Sequence, residues 1–158
     1  MGKEGAIVYI TGTSSTRQKP QNTSPYTTSP TVGGPGTIEE TAALVSESGG
    51  LGIPVYCDHG DDDSVRMRFN QIASEYDRLD ILVNNAFRIP AGGVRELKGG
   101  RFWETGVSSW DSMHSIGLRS HFVSSVYAIP LMQKARRDPR GELPRPFIAM
   151  ISSFGGIR

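Results

Sequence analysis

Four polar clusters in this 158-residue sequence follow directly on short apolar runs: Gly12-Thr13, Asp58-His59, Asn84-Asn85-Ala86 and Ser152-Ser153. Short runs rich in β-branched residues read as buried strands. When such strands lie parallel with helices between them, ligands gather beyond their carboxyl ends, where helix N-termini and loop amides collect. Hydroxyl, amide and carboxylate groups at such a rim can hydrogen-bond a polar small molecule. Each cluster also has a plainer reading. Asn84-Asn85 would be a polar turn closing a strand, Ser152-Ser153 an inert strand end, and Asp58 the cap of a turn.

Other chemistries are poorly supplied. His59, His114 and His121 have no metal-ligand spacing with carboxylates or with Cys57, so they read as surface or groove residues. The single cysteine cannot form an internal disulfide or a thiolate cluster, which fits a reducing compartment, with a cytoplasmic location as the default. Lys plus Arg number 17 against 16 Asp plus Glu, a balance that draws the chain neither to nucleic acid nor to anionic lipid. The longest apolar runs fall far short of the roughly 20 residues of a membrane span. Trp103 and Trp110 read as packing anchors.

The elements that must position these clusters alternate. Gly5 to Gly12 reads as a first strand, and 13–36 as a flexible Ser/Thr/Pro-rich loop with too little apolar surface to order itself. Thr37-Ile38-Glu39-Glu40 has capping-box spacing and opens a helix to about Glu47, with Ile38, Ala42 and Val45 on one face. Ile53 to Cys57 is a second strand. Asp61, Asp62 and Asp63 complement the N-terminal dipole of a helix whose apolar face is Val65, Phe69, Ile72, Ala73 and Tyr76.

Leu79 to Val83 makes a third strand and Phe87 to Gly106 a surface loop. A long helix then starts near Ser108 or Ser109, and Pro130 should kink it or end it early. A basic, proline-rich connector over 134–146 leads to a fourth strand, Phe147 to Ile151. The pattern is α/β: a doubly wound parallel sheet of about four strands with flanking helices, in one domain over 1–158. Met1-Gly2 begins no targeting signal, because Ala6 stands where myristoylation wants Ser or Thr. The last residues, Gly155-Gly156-Ile157-Arg158, follow closely on the fourth strand and suggest a chain stopping within a domain.

The residues now resemble a known family, the short-chain dehydrogenase/reductases. Leu79-Asp80-Ile81-Leu82-Val83-Asn84-Asn85-Ala86 is similar to its central-strand motif, and Ile151-Ser152-Ser153-Phe154-Gly155-Gly156 to its catalytic-serine segment. Val8 to Gly12, Phe102 to Thr105 and Gly117-Leu118-Arg119 are similar to the dehydrogenase/reductase member one subgroup. The resemblance implies a partial Rossmann-type fold lacking the family's first and last strands. It also implies hydride exchange between NAD or NADP, with NADP favoured, and a small-molecule carbonyl or alcohol.

Carried over by position, Asp58 would meet the adenine amino group, and Asn84, Asn85 and Ala86 would line the adenine ribose and brace the central strand. Gly12, Thr13 and His59 would complete the cofactor-binding set. Ser153 would be the catalytic hydroxyl that orients the carbonyl. Thr13 stands where a basic residue would meet a 2′-phosphate, and Gly117 where most members have a catalytic asparagine. Neither the glycine-rich cofactor loop nor a Tyr-x-x-x-Lys pair is present, so little activity is expected of this chain alone. The alternative is a truncated non-catalytic product or interaction module, with the 109–133 helix serving a homodimer. The family's absent first strand belongs between two that remain, so its neighbours should lose a ladder of hydrogen bonds or pair directly.

Overall fold

The computed structural model describes residues 1–17, 36–88, 101–104, 106–135 and 145–152. The described chain forms two compact units, Met1–Asp58 with Ile89–Ser109, and His59–Arg88 with Trp110–Arg158.

In the first unit, β1 (Ile7–Gly12) and β2 (Leu51–Tyr56) pair in parallel from Ile7↔Leu51 to Gly12↔Tyr56. Backbone bonds from Leu51 N–H to Ala6 O and from Cys57 N–H to Gly12 O extend the ladder at both ends. The crossover is α1 (Ile38–Glu47), and its capping box is formed as the sequence predicts. Thr37 Oγ1 accepts from the Glu40 N–H at 3.1 Å, and Glu40 Oε2 from the Thr37 N–H at 2.9 Å. Ile38 and Ala42 face the strands and are buried with Val55 and Cys57.

α1 lies so close to β2 that a side chain on Gly52 would collide with the helix backbone at Ala42. β2 begins at Leu51 rather than at the Ile53 of the sequence expectation, and Gly52 within it is a contact point for the helix.

In the second unit, β3 (Ile81–Asn84) and β4 (Phe147–Met150) pair in parallel from Ile81↔Phe147 to Asn84↔Met150. β3 starts two residues later than the pattern of Leu79 to Val83 suggests, because the Leu79 N–H donates to the Leu131 carbonyl of a helix instead of joining the ladder. α2 (Asp62–Glu75) begins at Asp61, whose carboxylate accepts from the Asp63 N–H at 3.0 Å.

The long helix is three consecutive pieces: α3 (Val107–His114), a π-helical turn (Ser115–Arg119) and α4 (Ser120–Ala135). Ser120, Ser124 and Ala128 are small and buried, which lets α4 approach the strands closely, while Phe69 of α2 meets Tyr127 of α4 at 6.2 Å between ring centroids. Pro130 does not end the helix, which runs five residues further. The proline is exposed, so water can solvate the carbonyl that its missing N–H leaves without a partner.

The described ladders are β1–β2 in the first unit and β3–β4 in the second, each a two-stranded parallel sheet. No helix among the described residues is long and apolar enough to cross a membrane.

Arg119, in the π turn, grips Asp62 with both guanidinium nitrogens, at 2.5 and 2.6 Å. The Arg119 hydrogen bonds hold the Asp62 carboxyl below its ordinary value, against a smaller opposing effect of burial. The sign follows from linkage. A carboxyl whose pKa is lower folded than unfolded adds stability above its unfolded value and loses it as pH falls through the folded one. Arg119→Gln should therefore lower the urea midpoint of this unit slightly at pH 7, and the gap to wild type should close below about pH 4. Both side chains are well exposed, so the effect is small. Equal midpoints at pH 7 would show that solvent screens the pair completely.

Candidate functional site

Parallel pairing brings the ends of paired strands side by side. In the first unit, Gly12 closes β1 opposite Tyr56 of β2, so Thr13 and Asp58 leave the sheet at the same rim. Thr13 is half-buried and Asp58 buried, with His59 half-buried after it. Burial pushes the neighbouring Tyr56 phenol up, with smaller contributions from the Asp58 and Cys57 charges, so its hydroxyl stays protonated near neutrality.

Beyond Thr13 the chain is tied to α1. Ser15 Oγ donates to Glu39 Oε1 at 2.5 Å and the Thr16 N–H to Glu39 Oε2 at 3.2 Å. The Ser15 bond is the main cause that holds the Glu39 carboxyl below its usual value. The sequence reading gave Glu39 no such role, because its partners lie 23 and 24 residues away.

In the second unit, Asn84 ends β3 opposite Met150, and Ser152 follows β4 at the same rim, exposed. Asn84 is 4% exposed. Its amide Nδ2 faces the Ser125 hydroxyl and Met150 Sδ at 3.2 Å each and the His121 carbonyl at 3.4 Å. Of the two readings of Asn84-Asn85, the buried, multiply bonded Asn84 is more than a solvated turn, while the Asn85 side chain is exposed. Ser153 lies outside the described residues.

His121 corrects the reading of the histidines as surface or groove residues. It is buried, and its Nε2 lies 2.8 Å from the Ala86 carbonyl. Trp103 and Trp110 are exposed instead of anchoring a core. Trp110 stacks on His114 at 3.7 Å between ring centroids, and the Arg101 guanidinium sits 5.5 Å over Trp103. Gly117 lies in the π turn, and a Cβ built there meets nothing within 4 Å. The described residues contain no group of His, Cys, Asp or Glu able to hold a metal ion.

Parallel strands linked by helices, with polar residues at their carboxyl ends, define a Rossmann-like α/β protein. The sequence family described as enoyl-(acyl carrier protein) reductase matches residues 34–141, more than half of the chain, and the chain belongs to the short-chain dehydrogenase/reductase family. Among curated proteins it is similar to "Dehydrogenase/reductase SDR family member 1" of Homo sapiens, 36% identical over 126 residues, which cover 77% of this chain and 36% of that protein.

Among solved structures it resembles a short-chain dehydrogenase from Mycobacterium thermoresistibile. The TM-score is 0.68 at 25% identity, over 96% of this chain and 44% of that one. It also shares its fold with a metagenomic short-chain oxidoreductase in complex with NADP, at a TM-score of 0.65 and 19% identity, over 99% of this chain and 55% of that one. The chain thus spans about a third of the length of the curated relative and about half that of the solved ones.

Proposed function

We propose that this chain carries part of the nicotinamide-dinucleotide site of an oxidoreductase that transfers hydride to or from a carbonyl or alcohol. The observation that carries the reading is the shared rim within each strand pair, Gly12-Thr13 with Asp58 in one and Asn84 to Ala86 with Ser152 in the other. The donor set suits the ligand. In the first unit the Asp58 carboxylate is an acceptor for the adenine amino group and the Thr13 hydroxyl a partner for a ribose hydroxyl; in the second the Asn85 amide is a partner for ribose hydroxyls and Asn84 braces β3. Ser153 is the hydroxyl that would orient the carbonyl. When bound, the nicotinamide supplies or accepts the hydride. The cofactor is NAD or NADP; Thr13, standing where a basic residue would meet a 2′-phosphate, does not separate them.

No Tyr-x-x-x-Lys and no G-x-G-x-x-G pattern occurs in the 158 residues. Without the glycine-rich turn the purified chain should bind NADPH or NADH only weakly, read as enhanced nucleotide fluorescence, and without the Tyr-x-x-x-Lys pair it should show almost no carbonyl-dependent loss of nicotinamide absorbance. Failure to bind either nucleotide would sink the dinucleotide reading. Robust turnover would sink the requirement for a separate proton donor.

A second reading, an interaction module, is favoured by one observation. Leu118, Phe122, Val126 and Ile129 form an exposed apolar stripe along the π turn and α4, with Phe122 70% exposed. Pairing of two copies through this stripe would bury it. The wild-type chain should sediment as a dimer and Phe122→Glu as a monomer; a monomeric wild type would exclude the pairing.

A further inference from the structure

We propose that His121 is a positioning residue that pins the backbone leaving β3 in the conformation presented to a nicotinamide dinucleotide; this rests on the dinucleotide reading above. Three observations within the second unit carry it. The imidazole is withdrawn from water, with His121 only 7% exposed. Nε2 lies 2.8 Å from the Ala86 carbonyl, which can only accept, so Nε2 carries the hydrogen. The same residue's own carbonyl accepts from the Ser125 hydroxyl at 2.7 Å and faces Asn84 Nδ2 at 3.4 Å, while Asn84 Nδ2 also reaches Ser125 Oγ at 3.2 Å.

One turn of α4 therefore holds the strand exit at two points, through a side chain to Ala86 and through a backbone carbonyl to Asn84. Asn85 lies between two pinned neighbours with its side chain exposed. A segment fixed before the ligand arrives does not lose conformational freedom on binding, and that saving appears as affinity. Without the imidazole, the Ala86 carbonyl loses this donor and the exit can sample other conformations.

The test uses the full chain. Long-range ¹H–¹⁵N spectra of the imidazole should show His121 Nε2 protonated at neutral pH; an unprotonated Nε2 overturns the proposal. His121→Ala should weaken binding of NADP⁺ or NAD⁺ about five- to tenfold, the effect of one lost hydrogen bond. His121→Gln, whose amide can donate from nearly the same place, should recover most of that loss. Amide exchange across β3 and α4 reports whether each variant is folded.

Equal weakening by both variants, with exchange unchanged, overturns the proposal, as does His121→Ala binding like wild type. A wild-type chain that binds neither dinucleotide defeats the underlying reading instead, whatever the tautomer proves to be.

Discussion

Gly52→Val should strip hydrogen-exchange protection from β1, α1 and β2 while β3, β4 and α4 keep theirs. A Cβ at this position would stand 2.1 Å from the Ala42 carbonyl oxygen and 2.7 Å from the Ala42 carbonyl carbon and Cα. These are backbone atoms of α1 at its buried face, with Ala42 only 4% exposed, so no side-chain rotation relieves the collision. The helix must lift from the strand.

Overpacking of a well-packed site costs about 1–3 kcal/mol and sometimes more, and a backbone collision of this depth belongs at or above the top of that range. Lifting α1 also breaks the bond from the Gly52 N–H to Ser46 Oγ at 3.0 Å. Gly117→Ala is the matched control, because the space beside Gly117 is open, and it should leave protection intact. Unchanged protection in Gly52→Val would mean that α1 does not rest on β2 as described.

The second large effect is expected at Asn84. Asn84→Asp is nearly isosteric, but it replaces an amide donor facing the His121 carbonyl, the Ser125 hydroxyl and Met150 Sδ with a carboxylate that cannot donate. A buried charge facing a carbonyl oxygen and a thioether should cost about 3 kcal/mol or more at neutral pH. The new carboxyl would be neutral more readily folded than unfolded, so its folded pKa is raised. The penalty therefore grows as pH rises through the ordinary carboxylate range and shrinks in acid, where a protonated carboxyl can donate again. Urea midpoints at pH 7 and pH 4 check this. A defect that is absent at pH 7, or larger in acid, would contradict the described bonding of Asn84.

The elements were legible where the information is local. Thr37 and Glu40 stand at capping-box spacing, the apolar runs around Val8, Val55, Val83 and Ile148 are each closed by polar or small residues, and Asp61 precedes an amphipathic helix. The resemblance added the family. What could not be read is set by contacts across the fold. His121 meets Ala86 across 35 residues, and Arg119 meets Asp62 across 57. No spacing rule connects residues so far apart. Pro130 does not end the helix early, being on its exposed side, and nothing local marked Gly52 as the point where α1 comes close to β2.

The account depends on ligand-binding groups at the carboxyl ends of the strands within each pair, β1–β2 and β3–β4. A ¹H–¹⁵N titration of the labelled chain with NADP⁺, and separately with NAD⁺, measures this residue by residue. Saturable shifts should concentrate at Gly12, Thr13, Asp58, Asn85 and Ala86. Shifts confined to the opposite strand ends, at Ala6, Gly50 or Asp80, or none with either nucleotide, would contradict it.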